Sequence, residues 1–255
     1  MSGVDDVART AHLLVALDFD GTLSPLVDDP MTARMTPEAR AAIDALTQAP
    51  GTTVAFVSGR SLPDLRVIGE HADDSPVLLA GSHGAEYWTP DGAAGGDVDP
   101  DAVALRDRLR GEAERLAEDV PGAWIEPKTF GFAVHTRTAE DRARAARLRA
   151  AVDERVAEAA PSWRRRDGHD LTEYAFRTEG KDAAVAHLRE LTGATAVVFA
   201  GDDVTDEDAL RSLGEHDLGI RVGGGETAAR MRVADTTELA ALLGDIAHRR
   251  AAARE

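Results

Sequence analysis

The sequence predicts an α/β protein, a Rossmann-like doubly wound parallel sheet that carries an inserted α/β domain. Three observations lead there. The run LLVAL (13–17) is apolar throughout, the pattern of a strand buried on both faces, and in α/β proteins such a strand is central and parallel. Strand-like and helix-like stretches alternate through residues 13–80, as a parallel sheet with helices on both sides requires. Between residues 90 and 177 the alternation gives way to paired strands and long charged helices, and then it resumes.

Each element has its own signal. Strand 13–18 is followed by a helix from about Pro37 to Ala49. There Thr36 is the natural N-cap, Pro37 occupies the first turn, Ala39, Ile43 and Leu46 share a face, and Gly51 follows the end. A strand at 53–57, a short helix at 62–69 and a strand at 77–80 come next. TPDGAAGGDVDPD (89–101) reads as a linker. Beyond it lie a charged helix at about 101–118, the strands of AWIEPK and GFAVHTR around a turn at Thr129-Phe130, and a helix at about 139–160 with Leu148, Val152 and Val156 on one face. WRRRDGHDLTEYAF (163–176) reads as a hairpin turning at Asp167-Gly168, which divides Arg164, Arg165 and Arg166 between two faces. A helix opens at Lys181, with Ala184, Val185, Leu188 and Leu191 in its apolar pattern. Strands follow in ATAVVFAGDD and DLGIRV (217–222), then a helix from about Thr237. The Ala/Arg-rich tail (247–255) reads as a frayed helix end. The expected domains are a core of residues 1–90 and 178–255 and an inserted α/β domain of residues 91–177.

Chemistry-bearing residues stand at the ends of these strands. LLVALDFDGTL empties a buried strand into Asp18 and Asp20, and TTVAFVSGR ends in Ser58, Gly59 and Arg60. Lys181 opens its helix, and ATAVVFAGDDVTDEDAL opens into Asp202, Asp203 and Asp206. Open α/β sheets bind ligands at the carboxyl ends of their strands. Carboxylates from two strand ends suit a hard cation such as Mg²⁺, which takes oxygen ligands. A cation and an ammonium together neutralise a phosphate, and phosphoryl transfer demands mainly positioning and charge stabilisation. An Asp can also be a covalent nucleophile through an aspartyl-phosphate, and a second Asp two residues on can act as general acid and base.

In this order, DFDGTL, SGR, Lys181 and GDDVTD resemble the four signature motifs of the haloacid-dehalogenase-like phosphotransferases. The resemblance implies that Asp18 is the nucleophile and Asp20 the acid/base, with the Asp20 carbonyl touching Mg²⁺. It implies that Ser58 hydrogen-bonds the phosphoryl group and that Lys181 balances its charge. Asp202 would ligate the metal, with Asp206 and the further candidate Asp203 fixing its waters, so the metal set is Asp18, Asp20, Asp202, Asp203 and Asp206. With LLAGSHGAEYW (78–88), IEPK (125–128) and AVHTR (133–137) included, residues 13–243 are similar to the trehalose-6-phosphate phosphatase family. That likeness implies a Mg²⁺-dependent enzyme of trehalose biosynthesis releasing phosphate from trehalose 6-phosphate; with neither signal peptide nor membrane-length apolar run read from the sequence, a cytoplasmic protein is expected. It implies that Glu126, Lys128 and Glu173 contact sugar hydroxyls, with His135 and Arg137 near the same face. Gly21, Thr22, Gly59, Arg60, His83 and Gly84 complete the candidate substrate positions.

Several readings stay open in the sequence. Glu126 and Lys128, two apart on a strand, share a face and form either an exposed ion pair or a pair of sugar contacts. His83 either approaches the substrate or stabilises its loop, and Arg60 pairs either with substrate or with Asp64. The sugar part departs from the family pattern at Thr136, Ala175 and Phe176, and Asp182 stands where the family has Gly. A related disaccharide or pseudo-disaccharide phosphate is therefore an alternative substrate, and a sugar phosphomutase an alternative activity. A non-catalytic sensor would have lost the nucleophile, acid or metal ligand, and all are present. The inserted domain is expected to act as a cap, with hinges near Gly95-Gly96 and Thr178–Gly180.

Composition excludes other classes. A net charge of −17 disfavours nucleic acid and anionic membranes as partners. There is no cysteine, hence no disulfide, and no apolar run approaches the ~20 residues of a membrane helix. The acidic N-terminus lacks the features of a signal peptide. A monomer acting on a small sugar phosphate is the expectation.

Overall fold

A computed structural model of the chain describes residues 2–95, 98–168 and 170–253. They form two compact units, Met1–Gly95 with Glu179–Glu255, and Gly96–Thr178. In chain order the first unit begins with α1 (Ser2–Arg9), β1 (Leu13–Leu17), α2 (Pro37–Gln48), β2 (Thr52–Val57) and α3 (Leu62–Ile68). It continues with β3 (Leu78–Gly81), β4 (Glu86–Thr89) and β5 (Gly92–Gly95). The second unit holds α4 (Pro100–Ala117), β6 (Trp124–Lys128), β7 (Gly131–His135), α5 (Arg142–Ala159), β8 (Arg164–Gly168) and β9 (Leu171–Ala175). The first unit then resumes with α6 (Lys181–Thr192), β10 (Ala196–Gly201), α7 (Glu207–Ser212), β11 (Leu218–Val222), β12 (Met231–Val233) and α8 (Thr236–Ala252).

The first unit is built on an eight-stranded sheet in the order β12-β11-β10-β1-β2-β3-β4-β5. From β12 to β3 the strands are parallel, and all five residues of β1 are buried. Alternate β1 residues serve two cores. Leu13, Val15 and Leu17 pack in a cluster with Ile43 and Leu46 of α2 and Leu239 and Leu243 of α8. Leu14 and Ala16 pack in another with Ala184, Val185 and Leu188 of α6. Burial on both faces is why β1 reads as an unbroken apolar run. The Thr36 hydroxyl accepts a hydrogen bond from the Ala39 amide at 3.1 Å, and Pro37 fills the first turn of α2, so local chemistry starts that helix.

The structure corrects three readings. Half of the expected linker is a hairpin: β4 and β5 add antiparallel strands to the sheet edge, and the first unit runs through Gly95. The glycines there look like linker because small residues on an edge strand carry no core pattern. Of the expected hinge pair Gly95-Gly96, the second residue lies outside the described ones. The chain end is not frayed through residue 253. Helix α8 reaches Ala252, and Arg250, 2% exposed, donates to the carbonyls of Val7, Ala8, Thr10, Pro50 and Gly51 and to the Thr52 hydroxyl. Residues 254–255 lie outside the described ones. Third, Asp167 and Gly168 belong to β8, paired with Thr172 and Leu171, so they are strand residues and not the turn. Asp170 has a φ of +55°. His169 lies outside the described residues.

The second unit is an antiparallel sheet in the order β6-β7-β9-β8. On one face Phe132, Val134 and Tyr174 pack with Leu109 and Ala113 of α4 and Leu148 and Val152 of α5. Strand alternation puts Trp124, Glu126, Lys128, His135, Glu173 and Arg166 on the other face. Among the described residues no helix is long and apolar enough to cross a membrane.

Candidate active site

The register of the parallel strands assembles this site. Leu17 of β1 pairs with Ala200 of β10 and Phe56 of β2, so Asp18, Ser58 and Asp202 all emerge at the carboxyl edge of the sheet. Asp18 continues the ladder, its amide donating to the Ala200 carbonyl at 2.9 Å, and Ser58 does the same to Ala80. Lys181 is the first residue of α6, and Asp206 closes the 3-10 turn Val204–Asp206 after β10.

Charge balance organises the centre. The Lys181 ammonium lies 2.6 Å from Asp18 Oδ1 and 2.6 Å from Asp206 Oδ1, and all three side chains are buried. Asp18, Asp202 and Asp206 each bring a carboxylate oxygen within 4.8 Å of the others. Burial pushes the Asp18 carboxyl well above its usual range. Lys181 opposes that shift, while Asp206 and Asp202 reinforce it. Asp202 is pushed up to about 6 by burial and by Asp206. Burial opposes the charge on Lys181, yet the attraction of Asp18 and Asp206 prevails and raises its pKa. Three carboxylates face one ammonium, leaving an excess of negative charge among hard oxygen donors. That donor set fits a divalent cation such as Mg²⁺.

The loops around this centre are held closely. The Thr22 hydroxyl donates to Asp18 Oδ2 at 3.3 Å and lies 3.4 Å from Asp202 Oδ1. Gly21 has a φ of +77°, and a Cβ there would meet Asp202 Oδ2 at 2.1 Å, so only glycine fits. Gly59 likewise makes room for His83, whose Nε2 would lie 2.6 Å from a Cβ. His83 is buried, and its amide donates to the Ser58 carbonyl at 2.9 Å. Ser82, His83 and Gly84 run consecutively at positive φ, a backbone costing about 1–2 kcal/mol per non-glycine residue. Such strain is held where the surroundings impose it. Glu86 is part of that surrounding, accepting from the Leu62 amide at 3.1 Å and the Ser82 hydroxyl at 2.6 Å. Glu86 lies within LLAGSHGAEYW, yet its role is not legible there, because Leu62 is supplied by α3.

Arg60 pairs with Asp20, donating from Nε and Nη2 to its two oxygens, each at 2.6 Å. Asp64 is engaged by Ser61 at the start of α3. Asp20 and Asp203 stand outside the three-carboxylate group. The Asp203 amide donates to Asp206 Oδ2 at 2.9 Å, which helps orient Asp206.

In the second unit Glu126 is the hub. Its Oε1 pairs with Lys128 Nζ at 2.9 Å and its Oε2 with His135 Nε2 at 2.9 Å. Burial would raise the Glu126 pKa, but His135 and Lys128 outweigh it and hold it down. Glu173 sits across Ala133 from Glu126 and pairs with Arg166 at 3.3 Å. Arg137 is exposed, two residues past the end of β7. The departures Thr136 and Phe176 are packing positions. The Thr136 hydroxyl donates to the Asp170 carbonyl at 3.0 Å, and Phe176 packs against Phe130 and Trp163. Trp124, which no motif flagged, stacks on His135.

Solved structures share this architecture. The C-terminal domain of Candida albicans trehalose-6-phosphate phosphatase superposes with a TM-score of 0.81 at 19% identity, over 97% of this chain and 96% of that one. A haloacid dehalogenase-like hydrolase from B. subtilis gives 0.61 at 15% identity, over 90% and 98%. The fold is thus the one found in haloacid dehalogenase-like hydrolases. The chain belongs to the trehalose-phosphatase family, whose profile matches residues 16–237. It is 38% identical over 222 residues to the trehalose-phosphate phosphatase of Mycobacterium avium (strain 104), covering 84% of this chain and 54% of that protein. Identity to the protein of the same name from Mycobacterium tuberculosis (strain ATCC 25618 / H37Rv) is 34% over 227 residues, 86% of this chain and 56% of that one. The chain spans about half the length of the curated relatives it matches.

Proposed function

We propose that the chain is a Mg²⁺-dependent phosphatase that hydrolyses trehalose 6-phosphate to trehalose and phosphate through an aspartyl-phosphate on Asp18. The observation that carries this reading is the buried Lys181 ammonium between Asp18 and Asp206, with Asp202 beside them, in a chain of this family. The carboxylates of Asp18, Asp202 and Asp206 are the groups to hold Mg²⁺, which when bound neutralises phosphoryl oxygens.

In this reading an Asp18 oxygen attacks phosphorus and the sugar P–O bond breaks. Asp20 protonates the departing sugar oxygen. It then takes a proton from the water that attacks the phosphorus of the aspartyl-phosphate, and the bond to Asp18 breaks to release phosphate. Lys181 works against the proton that burial and acidic neighbours favour on Asp18. Ser58, buried at the end of β2, is assigned to a phosphoryl oxygen. Arg60 grips both oxygens of Asp20, so acid/base duty requires that bidentate pair to open.

The unit Gly96–Thr178 is assigned as the sugar-reading cap, with Glu126, Lys128, His135 and Glu173 as its polar contacts. Thr136 and Phe176 remove no group from that face. Ala175 does lack a cation there, and Arg164 stands directly opposite it on the neighbouring strand.

The test is phosphate release with Mg²⁺ on trehalose 6-phosphate, sucrose 6-phosphate, glucose 6-phosphate and p-nitrophenyl phosphate, each with an EDTA control. Strong preference for trehalose 6-phosphate, abolished by EDTA, is expected. Equal rates on every ester would overturn the assigned sugar, and rates indifferent to EDTA would overturn the metal.

A further inference from the structure

We propose that Trp124 is a stacking platform for a pyranose ring of the substrate and sets specificity with Glu126 and Lys128; this rests on the sugar-phosphate reading above. Among the described residues Trp124 is the only aromatic among the exposed large hydrophobics, at 43% exposure. An isolated exposed apolar side chain signals nothing by itself. What singles out Trp124 is how firmly it is held and what lies beside it.

Trp124 pairs directly with His135 across the β6–β7 ladder, and their rings lie flat together, centroids 3.8 Å apart and 6° from parallel. His135 is in turn tied to Glu126, and Glu126 to Lys128. One face of the indole therefore rests on an imidazole whose own position is fixed, while the side chain keeps much of its surface exposed. Trp124, Glu126 and Lys128 alternate along β6 and so project from the same face. The other tryptophans are built into packing, Trp88 beneath Arg66 and against His71, and Trp163 against Phe132 and Phe176.

The chemistry of this arrangement matches a sugar ring. A pyranose presents a face of C–H groups, which packs on an aromatic plane, and a rim of hydroxyls. Those hydroxyls donate to a carboxylate and accept from an ammonium. Binding sites for small polar molecules combine a few fixed polar groups with aromatic surface in this way. A rigid ring set before the ligand arrives loses little freedom on binding.

The experiment compares kcat/KM for trehalose 6-phosphate with that for p-nitrophenyl phosphate, which has no pyranose, in the parent, Trp124→Ala, Trp124→Phe and Trp124→Leu. The ratio is expected to fall about tenfold in the Ala variant, the factor made by ~1.4 kcal/mol, mainly through KM. Phe, which keeps an aromatic plane, is expected to hold the ratio within about threefold of the parent, and Leu, which covers His135 without one, to behave as Ala does. Should the Ala variant melt far below the parent, the Phe and Leu pair carries the comparison. An unchanged ratio in Ala and Leu, or an equal loss in Phe and Leu, overturns the platform. Failure of the underlying reading looks different. A parent that favours no glycosyl phosphate over p-nitrophenyl phosphate sinks the sugar-phosphate reading and the platform with it. A parent that favours another glycosyl phosphate, a preference lost in Trp124→Ala, sinks trehalose 6-phosphate as substrate and keeps the platform.

Discussion

Replacing Lys181 with Met tests the charge balance at the centre of the site. The side chain is 3% exposed, and its ammonium makes two 2.6 Å contacts, to Asp18 and Asp206. Methionine keeps an unbranched stem of similar length, so packing is largely preserved while the ammonium that touches both carboxylates is lost. Removing one partner of a buried ion pair costs about 3–5 kcal/mol, because the remaining charge stays buried without compensation. A fall of that size in unfolding free energy is expected in EDTA, read from urea titrations of parent and variant. If the same carboxylates hold a divalent cation, Mg²⁺ at about 100 times its Kd returns about 2.7 kcal/mol to either protein by binding the folded state. For turnover, losing a preorganised charge at the phosphoryl group is expected to lower kcat by about 10²–10³-fold. A variant within about 0.5 kcal/mol of the parent in EDTA and within tenfold in kcat would refute the argument, since a surface lysine behaves that way.

Three further outcomes follow from other residues. Asp18→Asn is expected to abolish phosphate release, measured against a fresh parent preparation, while circular dichroism stays unchanged; turnover at the parent rate would remove Asp18 as nucleophile. Asp217 accepts four hydrogen bonds, from Arg189 Nη1 and Nη2 and the amides of Val197 and Gly214, at 2.8–2.9 Å. Burial works to raise its pKa, but these donors prevail and lower it, so its stabilisation is present above the unfolded carboxylate pKa of about 3.9 and is lost as pH falls through the lower folded value. Asp217→Asn should cost about 3–5 kcal/mol at pH 7, with the gap to the parent narrowing at acid pH, and a gap independent of pH would contradict this. Arg250→Ala strips partners from five carbonyls in the segments around α1 and β2 and should cost at least about 3 kcal/mol by urea unfolding; a loss under 1 kcal/mol would restore the frayed tail.

The sequence by itself determined what short-range chemistry decides. β1 is legible because burial on both faces demands five apolar residues in a row, and α2 because Thr36 and Pro37 supply its cap and first turn. The acidic strand ends are legible because Asp18 and Asp202 directly follow buried strands, and the face shared by Glu126 and Lys128 because strand side chains alternate. Only the tertiary structure decided which of these groups touch. Arg60 meets Asp20 across 40 positions and Lys181 meets Asp18 across 163, distances at which no periodicity carries information. The β4–β5 hairpin was hidden because an edge strand of small residues has no buried face to pattern it. Asp167 and Gly168 are strand and not turn because cross-strand packing of Tyr174 and Thr172, both buried, outweighs a local turn preference in setting register. Arg250 looked like part of a solvated tail because its partners are backbone carbonyls, which leave no mark on a sequence.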